Sequence, residues 1–365
     1  DGILWLGANH GVGKLPSQDL RVYSELDHTP ATSVICFASD PDGNGLFIGS
    51  TAGLFRLDNN GNEQRLPHPY FQQYPPWSVV SDPRGGLWVG TEGGGVVHVH
   101  DGRLEVFTRS NGSLPSDNVT DLKLKPDGTL LVACKEGLAV RYPDGTWHPI
   151  TRGNVLPVSY VRCMLDQPDG STLLGTLGAG VIRYDGRNMI PVTPDREELK
   201  AVYDMVHFKG KLWMATNYGV ASLDSDGGTT FYGREAGLPN ASTTALLQAG
   251  DLLWIATDGG AALLDPERGR VVRILTADEG LPGNEFTTHN ALFEDREGNI
   301  WFGVFGGAAS LAPQSGPVEA RKGKPGLLIH EVAYRVGDAE LLQHVTNGES
   351  IVIPTNARGI TFRFD

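Results

Sequence analysis

The stretch DREGNIWFGVFGGAASL, residues 295–311, decides how the rest of the chain reads. Asp295 to Gly298 has the composition of a hairpin turn with positive φ, Ile-Trp-Phe that of a buried strand, and Gly306-Gly307 that of the next turn. Nearly the same phrase recurs as DPRGGLWVGTEGGGVVHV from Asp82 and as GDLLWIATDGGAALL from Gly250. Taking the small residue behind the bulky group as a marker gives Gly7, Gly49, Gly90, Ala133, Gly175, Ala215, Ala256 and Gly303, in steps of 40 to 47 residues. Self-similarity at this period, with short β runs in each copy, marks propeller blades and not helical solenoids.

Each copy repeats the same mechanics. Two residues before the marker sits Trp5, Phe47, Trp88, Leu131, Leu173, Trp213, Trp254 or Trp301. Burying such a group between neighbouring sheets stabilises each junction by roughly 2 kcal/mol. A Gly turn upstream (Gly2, Gly43, Gly85, Gly128, Gly170, Gly210, Gly250, Gly298) joins strand A to strand B. A second turn downstream (Gly11, Gly53, Gly94, Gly137, Gly219, Gly260, Gly307, with Ala179 in the fifth copy) joins B to C. Alternating runs such as LRVYSEL, LEVFTRS and VVRILTA fit an outer strand D, and Leu-Pro loops such as GLPGNEFTTHN lead into the next A.

Composition agrees with a globular all-β chain. The 48 Gly and 23 Pro of its 365 residues are spread among apolar strands and do not form one tract. A formal charge of −13 repels phosphate backbones and anionic lipid, which argues against nucleic acid as a partner. Cys36, Cys134 and Cys163 each lie in an apolar run without metal-ligand spacing, so they read as buried thiols with no disulfide among them. GxSxG, HExxH and P-loop signatures are absent from the sequence, and no run of about 18 apolar residues spans a membrane.

The combination of GLPGNEF (280–286), DREGNIWFG (295–303) and the period resembles the two-component regulator propeller repeat of extracytoplasmic bacterial sensor regions. The resemblance extends over about the first 311 residues. Beyond them, PGLLIHEVAYRVGDAELL and GESIVIPTNARGITFRFD resemble the opening strands of the triple-tyrosine domain, a small Ig-like β-sandwich. This implies a tail of a preceding propeller over 1–19, a propeller over 20–311, a linker over 312–326 and a truncated sandwich over 327–365, within a longer receptor. The resemblance further implies a homodimeric, inner-membrane protein with this part in the periplasm, anchored through a segment beyond Asp365 and followed by a kinase, cyclase or regulator output.

Strand counting bears on blade number independently. The first copy lacks strand A and the eighth lacks strand D, so a ring closes if Leu20–Leu26 supplies the missing D. That gives seven four-stranded blades; the alternative is eight with an exposed edge.

Among local motifs, DPDGNG (Asp40 to Gly45) copies half a calcium loop but has Thr51 where the closing Glu belongs, so a hairpin turn is expected. His98 and His100 alternate on one strand face without a third metal ligand, and a solvated face is expected. No cofactor or metal is expected. In a propeller the D–A loops and B–C turns converge around the central channel. The first group contributes Trp77, Tyr160, Arg162, Tyr203, Glu285 and His289; the second Glu92, Lys135, Asn217, Tyr218, Asp258 and Phe305. Aromatic and amide groups with a few charges suit a carbohydrate or other small polar ligand. The expected function is ligand sensing without catalysis, with the charged Pro- and Gly-rich stretch Ala312 to Gly326 as the hinge that passes the signal on. Two other classes stay open: a propeller lyase or glycosidase using carboxylates such as Glu92 and Asp258, and a secreted interaction scaffold.

Overall fold

The computed structural model describes residues 5–8, 11–14, 20–30, 33–66, 68–152, 156–157, 160–313, 329–336, 339–344 and 358–364. Within the compact unit Leu15–Pro313, antiparallel four-stranded sheets follow one another as blades, with consecutive A strands packed together around the axis. Blade 1 comprises Val34–Ser39, Leu46–Ser50, Gly53–Leu57 and Glu63–Arg65 as strands A to D. Blades 2 to 6 repeat the plan, with A strands at Pro76–Ser81, Val119–Leu124, Val161–Asp166, Asp204–Phe208 and Thr243–Ala249.

Blade 7 is composite. Its strands A to C are Leu292–Glu294, Ile300–Val304 and Gly307–Leu311, and its strand D is Leu20–Tyr23 from the other end of the unit. The closing register pairs Leu20 with Leu311 and Tyr23 with Ala308. The propeller therefore has seven blades, closed by the strand that the count assigned to this task, and the eight-blade alternative falls away.

The wedges explain why the sheets pack in this order. Phe47, Trp88, Leu131, Leu173, Trp213, Trp254 and Trp301 are all buried. Each belongs to a different apolar cluster, and each cluster spans one junction between neighbouring blades. Trp213, for example, packs with Leu246 and Leu253 of the next blade and donates its indole N–H to Phe208 O at 3.1 Å. The side chain of Trp5 lies outside the described residues.

The turns follow the glycines, with the B–C turns of blades 2 and 4 as exceptions. In blade 2 the left-handed residues are Gly93 and Gly95, at φ +85° and +78°, and not Gly94 between them. In blade 4 they are Gly178 and Gly180, on either side of Ala179, while in blades 1, 3, 5, 6 and 7 the assigned position holds: Gly219 has φ +103°, and a Cβ there would lie 2.3 Å from Tyr232 O. Asp40 to Gly45 is the expected hairpin turn, closed by Asp40 N to Gly45 O at 3.0 Å, while Asp40 pairs with Arg56 at 2.6 Å. His98 corrects the solvated-face reading. Its ring stacks on Trp88 at 4.0 Å and its Nε2 lies 3.5 Å from Asp82, because an imidazole covers the indole that a smaller polar group would leave open.

Cys36, Cys134 and Cys163 are buried and unpaired in blades 1, 3 and 4. Burial pushes the Cys36 thiol up to about 12. Titration in denaturant without reductant is expected to find three free thiols; a count of one would mean that a disulfide forms.

A second unit comprises Asp1–Lys14 and Gln314–Asp365. In it Trp5–Ala8 pairs with Gly11–Lys14, and Ile329–Val336 lies between Ala339–His344 and Arg358–Phe364 in a three-stranded antiparallel sheet. The expected hinge lies, from residue 314 onward, outside the described residues.

Candidate functional site

The A strands build the channel wall with a shared irregularity. In blades 1, 2, 3, 4 and 6 the pairing of A with B slips by one residue at the same place, which puts Ile35, Trp77, Thr120, Arg162 and Thr244 in a bulge. A bulge re-aims the side chain it carries. Here it brings together residues of blades that are not neighbours: the Arg162 guanidinium of blade 4 lies over the Trp77 ring of blade 2 at 5.9 Å. Blade 7 replaces the bulge by a 3-10 turn, His289–Ala291, capped by Thr288. That turn crosses the channel. Asn290 Nδ2 donates to Trp77 O at 3.2 Å, and His289 Nε2 reaches to 3.5 Å from Asp121 Oδ1 on blade 3.

Asp121 is the hub of this wall, at 2% exposure. Its Oδ2 accepts from Met164 N at 2.9 Å and its Oδ1 from Leu122 N at 2.8 Å, while Ser78 Oγ donates to Oδ1 at 3.3 Å. Burial opposes its charge, but Lys123 and the neighbouring His289 outweigh burial and hold the carboxyl below its usual range. Asp121 in turn holds the Lys123 ammonium above its usual value against burial. His289 goes the other way: burial lowers its pKa more than Asp121 raises it, so its ring is neutral near pH 7. Lys123 is therefore the cation that counts for Asp121. Both ring nitrogens of His289, Arg162 Nε, Trp77 Nε1 and Thr244 Oγ1 are buried without a hydrogen-bond partner.

Asp204 on blade 5 accepts from Met205 N at 2.8 Å and Leu246 N at 2.7 Å, and burial raises its carboxyl from 3.8 to about 7. The folded state thus keeps a proton that the unfolded chain gives up. The stability contribution is complete below about pH 4 and is lost as pH rises through about 7, at up to about 1.4 kcal/mol per pH unit. Denaturant unfolding at pH 5 and pH 8 is expected to show this fall in the wild type and a smaller one in Asp204→Asn. Equal slopes would mean that Asp204 is already charged at pH 5.

The residues expected at the site divide into three sets. Trp77, Arg162 and His289 meet in the channel, as above. Tyr203 packs its ring on the core between blades 5 and 6, and Tyr160 accepts Leu177 N through its carbonyl at 3.0 Å. The remainder stay on the rim: Glu92 and Lys135 form a surface pair at 3.4 Å, and Asn217, Tyr218, Asp258, Glu285 and Phe305 are exposed turn or loop residues. Tyr218 and Phe305 are each 53% exposed.

A cavity of about 370 Å³ lies on the other side of the His289–Asn290 turn, toward the A–B turns. Ser39, Ser78, Ser81, Asn290, Lys123 and Arg296 supply its polar lining, Asp121 lies on its wall, and Phe37 and Phe293, stacked at 6.2 Å, its apolar side. Asp121, Lys123, Asp204, Asn290 and Arg296 were not among the expected site residues. Charged residues within inner-strand runs, as in VTDLKL (119–124), were the available signal.

Residues 280–306, which contain the channel-crossing turn, match the family model described as two component regulator propeller. In structure the chain is similar to the extracellular domain of a hybrid two component system from B. thetaiotaomicron, at 18% identity and a TM-score of 0.68, over 94% of this chain and 48% of that one. A second such extracellular domain from the same organism is 19% identical with a TM-score of 0.64, over 81% and 40% of the two chains. The chain thus spans less than half the length of either. Virginiamycin B lyase from Staphylococcus aureus is also similar, at 14% identity and a TM-score of 0.60, over 80% and 98%. At these identities the likeness shows a common fold. No curated protein matches the sequence.

Proposed function

We propose that this chain is the ligand-sensing part of the extracytoplasmic region of a membrane-bound two-component regulator, placed in the periplasm, dimeric in the full receptor and without chemistry of its own. The observation that carries the reading is a coincidence of position. The segment matching the two-component propeller repeat is also the one that sends His289 and Asn290 across the channel to Asp121 and Trp77. The repeat thereby contributes a polar centre of opposed charges and spare donors, which suits reversible recognition of a small polar solute such as a carbohydrate. Similarity to extracellular domains of hybrid two component systems supports the same reading. The carboxylates considered for catalysis do not favour an enzyme. Glu92 is tied to Lys135 on blade 2, and Asp258 stands exposed on blade 6, across the ring.

The test is calorimetric titration of the chain with neutral and acidic mono- and oligosaccharides, with chromatography of each solute after prolonged incubation. Saturable binding with the solute recovered intact is expected. Conversion of a solute at a rate proportional to protein concentration would replace sensing by catalysis, and failure of every solute to bind would remove the reading.

A further inference from the structure

We infer that the cavity on the A–B side of the channel is a binding site for a small hydroxylated carboxylate. The inference rests on the sensing reading and gives it a place and a ligand class. The cavity carries two cations from different blades, Lys123 from strand A of blade 3 and Arg296 from the A–B turn of blade 7. Neither forms a hydrogen bond or ion pair with any described residue, although many of the other Lys and Arg side chains of this acidic chain are paired. Lys123 feels Asp121, Asp204 and Asp166 without an ion pair to any of them, and it stays charged. Half-buried Lys123 and exposed Arg296 thus face one open cavity from two sides, where a single anion can meet both through charge-assisted hydrogen bonds.

Counting charges narrows the class. Within the cavity lining, Asp121 offsets one of the two cations, which leaves room for one negative charge. A monocarboxylate supplies it and accepts from both a guanidinium and an ammonium. A doubly charged oxyanion would place its second charge in the neighbourhood of Asp121. The remaining polar lining accepts hydrogen bonds. Ser81 Oγ already donates to Ser39 O at 2.6 Å and Ser78 Oγ to Asp121, so these hydroxyl oxygens, with Asn290 Oδ1, are placed to receive ligand O–H groups. The stacked pair of Phe37 and Phe293 offers an apolar wall for the C–H face of such a ligand. A volume of about 370 Å³ admits a molecule the size of a sugar acid.

The test uses isothermal titration of the whole chain with glucuronate and gluconate, with glucose as the uncharged counterpart and with sulfate and inorganic phosphate as oxyanions. Glucuronate or gluconate is expected to bind at least about tenfold more tightly than glucose and than either oxyanion. Arg296→Gln is expected to weaken the carboxylate about tenfold, and to weaken it more than it weakens glucose. Arg296 is exposed, so this variant keeps the result readable if Lys123→Met fails to fold. Sulfate or phosphate binding as tightly as the carboxylates would overturn the ligand class. Carboxylate binding that is insensitive to Arg296→Gln would overturn the site. Neutral saccharides binding while carboxylates do not would sink this inference and leave the sensing function standing.

Discussion

A chain lacking residues 1–24 is expected to melt at least about 10 °C below one beginning at Leu15, and to aggregate. The residues removed include the whole of Leu20–Tyr23, the outer strand of blade 7. Tyr23 is buried there, its ring 5.1 Å from that of Trp301 and beneath the Arg21 guanidinium. Loss of the Tyr23 and Leu20 burial together with a strand of pairing amounts to about 5 kcal/mol. At about 2 °C per kcal/mol for a domain of this size, that is the stated shift. The uncovered strand Gly307–Leu311 would present an open edge, the source of the aggregation. Scanning calorimetry with light scattering measures both. A truncated chain that melts within about two degrees of the longer one would show that closure of the ring contributes little.

Trp254→Ala is expected to cost about 3 to 5 kcal/mol. The indole is 2% exposed and meets Phe302 of blade 7 edge to face at 5.2 Å. Leu292 and Ile300 complete the contact from the same blade. Neighbours held in a closed ring have little freedom to collapse into the space left, so most of the cavity cost remains. His98→Ala is the comparison. Its ring also stacks on a tryptophan, but at the outer side of the sheet and 20% exposed, and about 1 kcal/mol is expected. Equal losses in denaturant unfolding would remove the assignment of Trp254 as the piece that holds two blades together.

Blade number and closure were legible because both depend on spacing along the chain. A first copy without strand A and a last without strand D can form a closed ring only by sharing a sheet, and Leu20–Tyr23 does so. Trp77, Arg162 and His289 were legible for a similar reason, since they stand where each loop enters an inner strand. Asp121 and Lys123 were not singled out. In VTDLKL they alternate with apolar residues as on any half-solvated strand, and only the ring shows that the water side of this strand is a channel. The Asp121–His289 contact joins blades 3 and 7, and no spacing rule reaches that far. The cavity lies toward the A–B turns, while the convergence of the D–A loops and B–C turns had drawn attention to the opposite face.

The composite blade also decides how the propeller responds to load. Leu20 and Leu311 are paired, the first residue of one strand and the last residue of the other. Tension applied between Leu20 and Leu311 therefore acts on one end of a single antiparallel ladder, in the peeling direction. Such a ladder yields pair by pair, Leu20 from Leu311, then Arg21 from Ser310, where a pull along the strands would have to shear every pair at once. Each of the other blades is made of consecutive strands joined covalently through their turns. The ring thus has one soft mechanical coordinate, at the clasp formed by Leu20–Tyr23 and Gly307–Leu311.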